Sequence, residues 1–526
     1  MASTLTETLQ AGYGFPGSAI TLGAALDRSA VLPEPKIRIP LAMMNRRGLV
    51  AGATGTGKTK TLQLLTEQLS AAGVPVFVAD IKGDLSGLAM PGLTSERVTQ
   101  RAADIAWTWT PAGVPVEFVS LTGKLGVQLR ATIASFGPLL LAKVLGLNDT
   151  QTSVLTLVFK YCDDQSLPLL DLADLRAVLQ FLTGPEGKRE LDALGGMSPA
   201  SVGVLLRKMV ELEMQGAEQF FGEPEFDVLD LLHTTREGKG VVTCIELSDV
   251  QDKPQLFSTF LMWLLAELYH TLPEAGDLDK PKLVFFFDEA HLLFNDASKA
   301  FLQQVEQVVR LVRSKGVGVY FVTQSPKDVP SDILAQLGHR VQHALRAHTP
   351  DDATALKAAV RTYPRTEFYD LEETLTSLGI GEAVVTALDP RGVPTPVVAA
   401  RLIPPASRMA PLTPDELQAD IRQSDLLAEY GTAVDRESAR EMLAARLGAS
   451  QASSPDNRGG QASAPDGRRG QASVPAGMST GAKIGSAIAA ALGTTVARSV
   501  GRALVRGVLG GLLGGKASRR TSRTRW

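Results

Sequence analysis

Sulfur is scarce in this chain. Cys162 and Cys244 are its two cysteines among 526 residues, far apart and without metal-ligand spacing. That argues against a disulfide framework or a zinc site and fits a reducing cytoplasm. Aromatics are also sparse, at 6%. The first residues, MASTLTETLQAGYGFPG, have neither a basic n-region nor an apolar h-region, so no secretory signal is expected. No uncharged apolar run reaches the length of a membrane span. Net charge is only −3, which does not advertise nucleic-acid binding. It is unevenly spread, however. Met478 to Trp526 hold nine Lys and Arg and no acid, so the remainder carries −12. Any nucleic-acid contact by the folded part must use local patches. Hydrophobic content of 44% and charged content of 21% leave room for a large core and more than one domain.

What is present begins with Gly52-Ala53-Thr54-Gly55-Thr56-Gly57-Lys58-Thr59, a match to the phosphate-binding loop G-x-x-x-x-G-K-[ST]. The apolar Gly48-Leu49-Val50-Ala51 before it reads as a strand, and Lys60-Thr61-Leu62-Gln63-Leu64-Leu65 after it as a helix. Glycines let successive N–H groups curl around a polyphosphate, and the helix N-terminus adds partial positive charge. The nucleotide-binding run is therefore Gly52 to Lys60. Lys58 can reach the outer phosphates of ATP, and the Thr59 hydroxyl can ligate Mg²⁺.

The strand Leu283–Phe287 ends in Asp288-Glu289. Side-by-side carboxylates on a buried strand are costly unless a cation or water uses them. Asp288 is assigned to the Mg²⁺ shell and Glu289 to polarising the attacking water. The strand Val317–Thr323 leads to Gln324, a candidate sensor of the terminal phosphate. One P-loop and one acidic strand leave that phosphate open on one side, and an arginine from a neighbour is the usual remedy. Arg310, Arg313, Arg340 and Arg346 are the candidates, with Arg313 best placed. The inference is a ring-shaped oligomer with shared sites.

Strands alternating with helices predict an α/β fold with a mainly parallel sheet covered on both faces. Residues 1–45 are a short N-terminal β segment, with strands at 18–23 and 36–39 of a small sheet. Residues 46–124 and 239–405 form two parts of one P-loop core. Between them, 125–238 read as a helical insertion, with helices at 137–147, 150–162, 170–182 and 200–215 and a cap at Asn148-Asp149-Thr150. Residues 406–450 are C-terminal helices. The ten-residue repeats of 451–477 (QASSPDNRGG, QASAPDGRRG, QASVPAG) predict a disordered linker. In the Gly/Arg-rich tail, 478–526, Arg498, Arg502 and Arg506 line one helix face, although many glycines weaken any helix. That tail suits a DNA-phosphate clamp, a membrane-surface helix, a partner helix or a disordered extension.

Taken together, GLVAGATGTGKTKTLQ, VPVFVADIKGDLSGLA, FFFDEAHLLF and VRSKGVGVYFVTQSPKDVP resemble the HerA/FtsK group of ring ATPases, in particular the bacterial HerA-like (YjgR-type) helicases. LGHRVQHALRAHTP, GEAVVTALDPRGVPTPVV and the insertion segments RATIASFGPLLLAKVLGLNDTQTSVL and LPLLDLADLRAVL add to the likeness. It implies a RecA-like core, a homo-hexamer, and ATP-driven movement along or around duplex DNA. By position it makes Lys58 and Thr59 the Walker A pair and Asp288 and Glu289 the Walker B pair. Gln324 matches the sensor and Arg313 the trans-acting arginine. Asp84 sits where relatives often carry an acid after the second core strand. Archaeal HerA proteins begin with a β-barrel that docks a nuclease. The stretch before Gly52 is too short for the whole barrel, which leaves a nuclease partner undecided.

Overall fold

The computed structural model describes residues 4–452, except 194, 295–298 and 347–348. Within them lie twelve strands, the central ones rich in β-branched and aromatic residues. These are β1 (Ala19–Asp27), β2 (Ala30–Pro40), β3 (Arg47–Ala51), β4 (Val76–Asp80), β5 (Val116–Ser120) and β6 (Val127–Gln128). The rest are β7 (Val242–Glu246), β8 (Leu283–Phe287), β9 (Val317–Thr323), β10 (His339–Gln342), β11 (Glu382–Thr386) and β12 (Val398–Leu402). They form one sheet in the order β2-β1-β12-β11-β10-β3-β9-β8-β4-β7-β5-β6. From β10 through β6 every neighbouring pair is parallel. From β2 through β10 every pair is antiparallel.

Parallel strands are buried on both faces, so the central ones are largely apolar, β8 reading Leu-Val-Phe-Phe-Phe. Side chains of β8 alternate between the two cores. Phe285 and Phe287 join Phe77 and Phe321 on one face. Val284 and Phe286 join Val76, Val78 and Val322 on the other. Helix Lys58–Ala71 covers the second face through Leu62, Leu65 and Leu69. Helix Pro254–Thr271 covers the first through Phe260, Trp263 and Leu264. Every parallel strand therefore delivers its carboxyl end to the same edge of the sheet. The P-loop follows β3, Asp288 follows β8 and Gln324 follows β9 at that edge.

Between β6 and β7 the chain is mostly helical, with helices Ile133–Val144, Asp149–Gln165, Leu172–Thr183 and Pro199–Met214. Asn148 caps the second of these through a reciprocal bond with Gln151. The first helix is broken at Gly137 (φ 65°), before Pro138, where the spacing predicts an unbroken helix starting at 137. These helices share the first core with the sheet, and Trp263 Nε1 donates to Ser135 Oγ at 3.0 Å.

The N-terminal strands do not make a small sheet of their own. They lengthen into a β1–β2 hairpin that joins the main sheet where Gly23 faces Leu402 of β12. A Cβ at Gly23 would lie 2.0 Å from the Arg401 carbonyl oxygen, so this junction requires glycine. The linker beyond Ala452 and the basic tail lie outside the described residues. Among the described residues, no helix is long and apolar enough to cross a membrane.

Candidate active site

Gly52 and Gly57 explain the glycines of the loop. Gly52 has φ 156°, and a Cβ there would lie 2.5 Å from Cβ of His343. Gly57, at φ 114°, is the left-handed N-cap of helix Lys58–Ala71. Neighbouring chain segments hold the loop. Ala53 N–H donates to the Ala344 carbonyl at 2.9 Å, Gly52 N–H to Thr323 at 3.2 Å, and Gly381 N–H to Thr56 at 2.9 Å. Buried His343 braces the helix behind it. Its Nδ1 donates to the Glu382 carbonyl at 2.9 Å, so Nε2 accepts from the Thr61 hydroxyl at 2.8 Å. Burial, reinforced by nearby Lys58, pulls His343 down to about 4, which keeps the ring neutral.

Lys58 is 8% exposed, and its Nζ donates to the Ala53 carbonyl at 3.2 Å. Thr59 Oγ1 donates to Asp84 Oδ2 at 3.4 Å. The Lys60 ammonium is taken up by the Met409 carbonyl, so its backbone N–H is what it offers a phosphate. Asp80, Asp84 and Asp288 each present a carboxylate oxygen within 4.8 Å of one another. Burial, with the neighbouring carboxylates, pushes Asp288 up to about 7. Burial, with Asp84 beside it, likewise pushes Asp80 up to about 6. Asp84 Oδ1 is buried without a hydrogen-bond partner. Three crowded carboxylates, one with an unsatisfied oxygen, plus a hydroxyl make an all-oxygen donor set that fits a hard divalent cation. Glu246, at the end of β7, lies on the far side of Asp80. Burial and Asp80 push it up to about 8.

Glu289 is 2% exposed, with a left-handed backbone at φ 45°. Both of its oxygens are engaged. Lys82 Nζ pairs with Oε1. His291 Nδ1 lies 3.0 Å from Oε2, and Gln324 Nε2 donates to Oε2 at 3.4 Å. Burial alone would raise this carboxyl, but Lys82, His291 and Gln324 outweigh it and the net shift is downward. Beside Ala53 and Thr54 lies a cavity of about 470 Å³, lined also by Gln324, Ser325, Lys327 and Arg346.

The four arginine candidates fall in different places. Arg340 Nη1 donates to the Thr362 carbonyl at 3.2 Å, and its guanidinium lies 5.7 Å from the Tyr363 ring centre. Arg310 pairs with Glu306. Arg346 lines the cavity beside the P-loop of its own chain. Arg313 is exposed in the turn Val312–Lys315 before β9, at the amino edge of the sheet. The seven residues of β9 separate it from Gln324 by about 20 Å. The structure thus gathers Gly52–Lys60, Asp288, Glu289 and Gln324 at one edge and leaves Arg313 at the other. Asp80, Lys82, His291 and His343 are the site residues that sequence reasoning missed. Lys82 had a signal, because it lies in the charged run Asp80-Ile81-Lys82-Gly83-Asp84 that ends a strand.

Residues 27–519 match the family model described as Helicase HerA-like C-terminal. The curated relatives include the DNA double-strand break repair helicase HerA of Sulfolobus acidocaldarius, 21% identical over 360 residues. That match covers 66% of this chain and 64% of the relative, a little under two thirds of the relative's length. The HerA of Saccharolobus solfataricus is 21% identical over 380 residues, covering 72% of this chain and 68% of that protein. Among solved structures, the bacterial conjugative coupling protein TrwBdeltaN70 is similar with a TM-score of 0.48 at 14% identity, over 78% of this chain and 99% of that one. VirB4 of Thermoanaerobacter pseudethanolicus reaches a TM-score of 0.46 at 13% identity, over 74% and 97%. With a P-loop, an acidic strand end and a mostly parallel sheet in place, and a family match along most of its length, the chain belongs to the HerA-like helicase C-terminal family.

Proposed function

We propose that this protein is an ATP-hydrolysing motor that assembles as a homo-hexameric ring and moves along duplex DNA. The observation that carries the reading is the convergence of Lys58, Thr59, Asp84, Asp288, Glu289 and Gln324 on the carboxyl edge of one sheet. The N–H groups of Gly55 to Lys60 cradle the phosphates of ATP, and Lys58 faces the outer ones. Thr59, Asp84 and Asp288 are the residues that would hold Mg²⁺, whose charge when bound screens the phosphate oxygens. Glu289 orients a water toward the terminal phosphate and takes its proton, and Gln324 fixes the Glu289 carboxylate from the adjacent strand. Phosphate and ADP are the products.

Arg313 acts on the site of the next protomer, because its own P-loop lies beyond the length of β9. DNA as the track is supported by the family and by the helicases named among the relatives. Residues 1–477 have the wrong overall sign for DNA, so binding rests on local basic patches and weakens steeply with salt. The test is the ATPase rate with and without duplex DNA at low salt, read beside the oligomer mass. Stimulation by DNA in a ring-sized species is expected. Hydrolysis with no stimulation and no DNA binding would remove the track and favour a protein or membrane-surface partner.

A further inference from the structure

We propose that Lys82 is a positioning residue for Glu289, holding one carboxylate oxygen so that the other is presented to the attacking water. This inference rests on the reading of Glu289 as the base. Glu289 enters the site at the end of a wholly apolar strand, on a left-handed backbone and beside a second buried acid, Asp288. A carboxylate in such a place needs a fixed counter-charge, or it turns away or takes up a proton. Lys82 supplies that charge by direct contact with Oε1.

The lysine is built into place. Asp80, fully buried, accepts from the backbone N–H groups of Lys82 at 3.1 Å, Gly83 at 2.8 Å and Leu85 at 2.8 Å. One carboxylate therefore shapes the whole turn from which Lys82 projects. Gly83 takes φ 73° in that turn, and Gln251 Nε2 holds the Ile81 carbonyl on the other side. The Lys82 side chain is itself exposed, so the turn fixes where it starts and the contact with Glu289 fixes where its ammonium ends. His291 and Gln324 approach only the other oxygen, Oε2. Oε1 thus belongs to Lys82, which leaves Oε2, steadied by Gln324, as the oxygen to meet a water. Lys82 also lies near the P-loop, where burial first and then its charge lower the proton affinity of Lys58. The test must therefore separate orientation of the base from binding of ATP.

The full-length chain is compared with Lys82→Ala, Lys82→Arg and Glu289→Gln. The measurements are kcat, KM for ATP, the Kd of a non-hydrolysable ATP analogue, and Tm. Lys82→Ala is expected to lower kcat by up to about 100-fold, the scale of a misplaced reacting group, with KM and analogue Kd nearly unchanged. Lys82→Arg, which keeps the charge, is expected to recover part of kcat. Wild-type kcat in Lys82→Ala, or lost analogue affinity with kcat retained, overturns the proposal. If Lys82→Ala loses Tm, Lys82→Arg decides: a folded arginine variant as slow as Glu289→Gln with no recovery also overturns it. Turnover surviving in Glu289→Gln would sink the reading beneath it. A dead Glu289→Gln beside a normal Lys82→Ala removes this inference alone.

Discussion

Thr59 and Asp84 meet at 3.4 Å across 25 residues of chain, and that pair ties the P-loop to the acid cluster. Asp84 Oδ1, buried and unpartnered, is the atom most in need of a cation. Asp84→Asn keeps the shape and removes the charge. We expect it to raise the Mg²⁺ concentration needed for half-maximal turnover by about 10- to 100-fold, with little change in Tm. An unaltered Mg²⁺ dependence would take Asp84 out of the cation shell. Residues of this kind were legible in the sequence only where they sit in local runs. The P-loop and the Asp288-Glu289 pair are contiguous, so spacing alone exposes them. The partnership of Lys82 with Glu289 spans 207 residues, and that of Thr61 with His343 spans 282. No periodicity in a single sequence encodes such pairs.

At the scale of elements, β10 carries an acid-sensitive brace. His339 begins this strand and His343 follows it, both buried and both drawn down to about 4, chiefly by desolvation. Unfolded, each would titrate near 6.5. The folded state thus resists protonation, so the stability each contributes is complete above that value and is lost as pH falls toward 4. The loss amounts to roughly 3 kcal/mol for each ring. Buried Asp80, Asp288 and Glu246 are raised and act in the opposite sense, so the test is a difference between proteins. Tm of the wild type should fall more steeply between pH 6.5 and 4 than Tm of His343→Gln. Parallel profiles would contradict the brace.

The central strands and the four long helices of 133–214 are legible because apolar runs and helical spacing are strong there. The strands β5, β6, β10, β11 and β12 are not. β6 has two residues, β10 reads His-Arg-Val-Gln, and the alanines of β12 carry little β preference. Their pairing with distant strands makes them strands.

For the whole molecule, the mainly parallel order of the sheet has one large consequence. The P-loop, Asp288, Glu289 and Gln324 collect at the carboxyl edge, while Arg313 stands at the amino edge near Arg46 and Arg47, whose guanidinium groups burial and then Arg313 pull below the usual arginine range. One protomer therefore has both a phosphate cradle and an arginine that cannot serve it. The proposed ring would resolve this by placing the arginine of one copy at the cradle of the next. Arg313→Ala removes the donor, and Lys58→Ala disables the cradle. The decisive measurement is the ATPase rate of these two inactive variants, alone and mixed, with oligomer mass checked in each. The account predicts that mixing restores activity, because some interfaces then pair an intact cradle with an intact arginine. Mixed rings that assemble yet stay as inactive as their parents would contradict it.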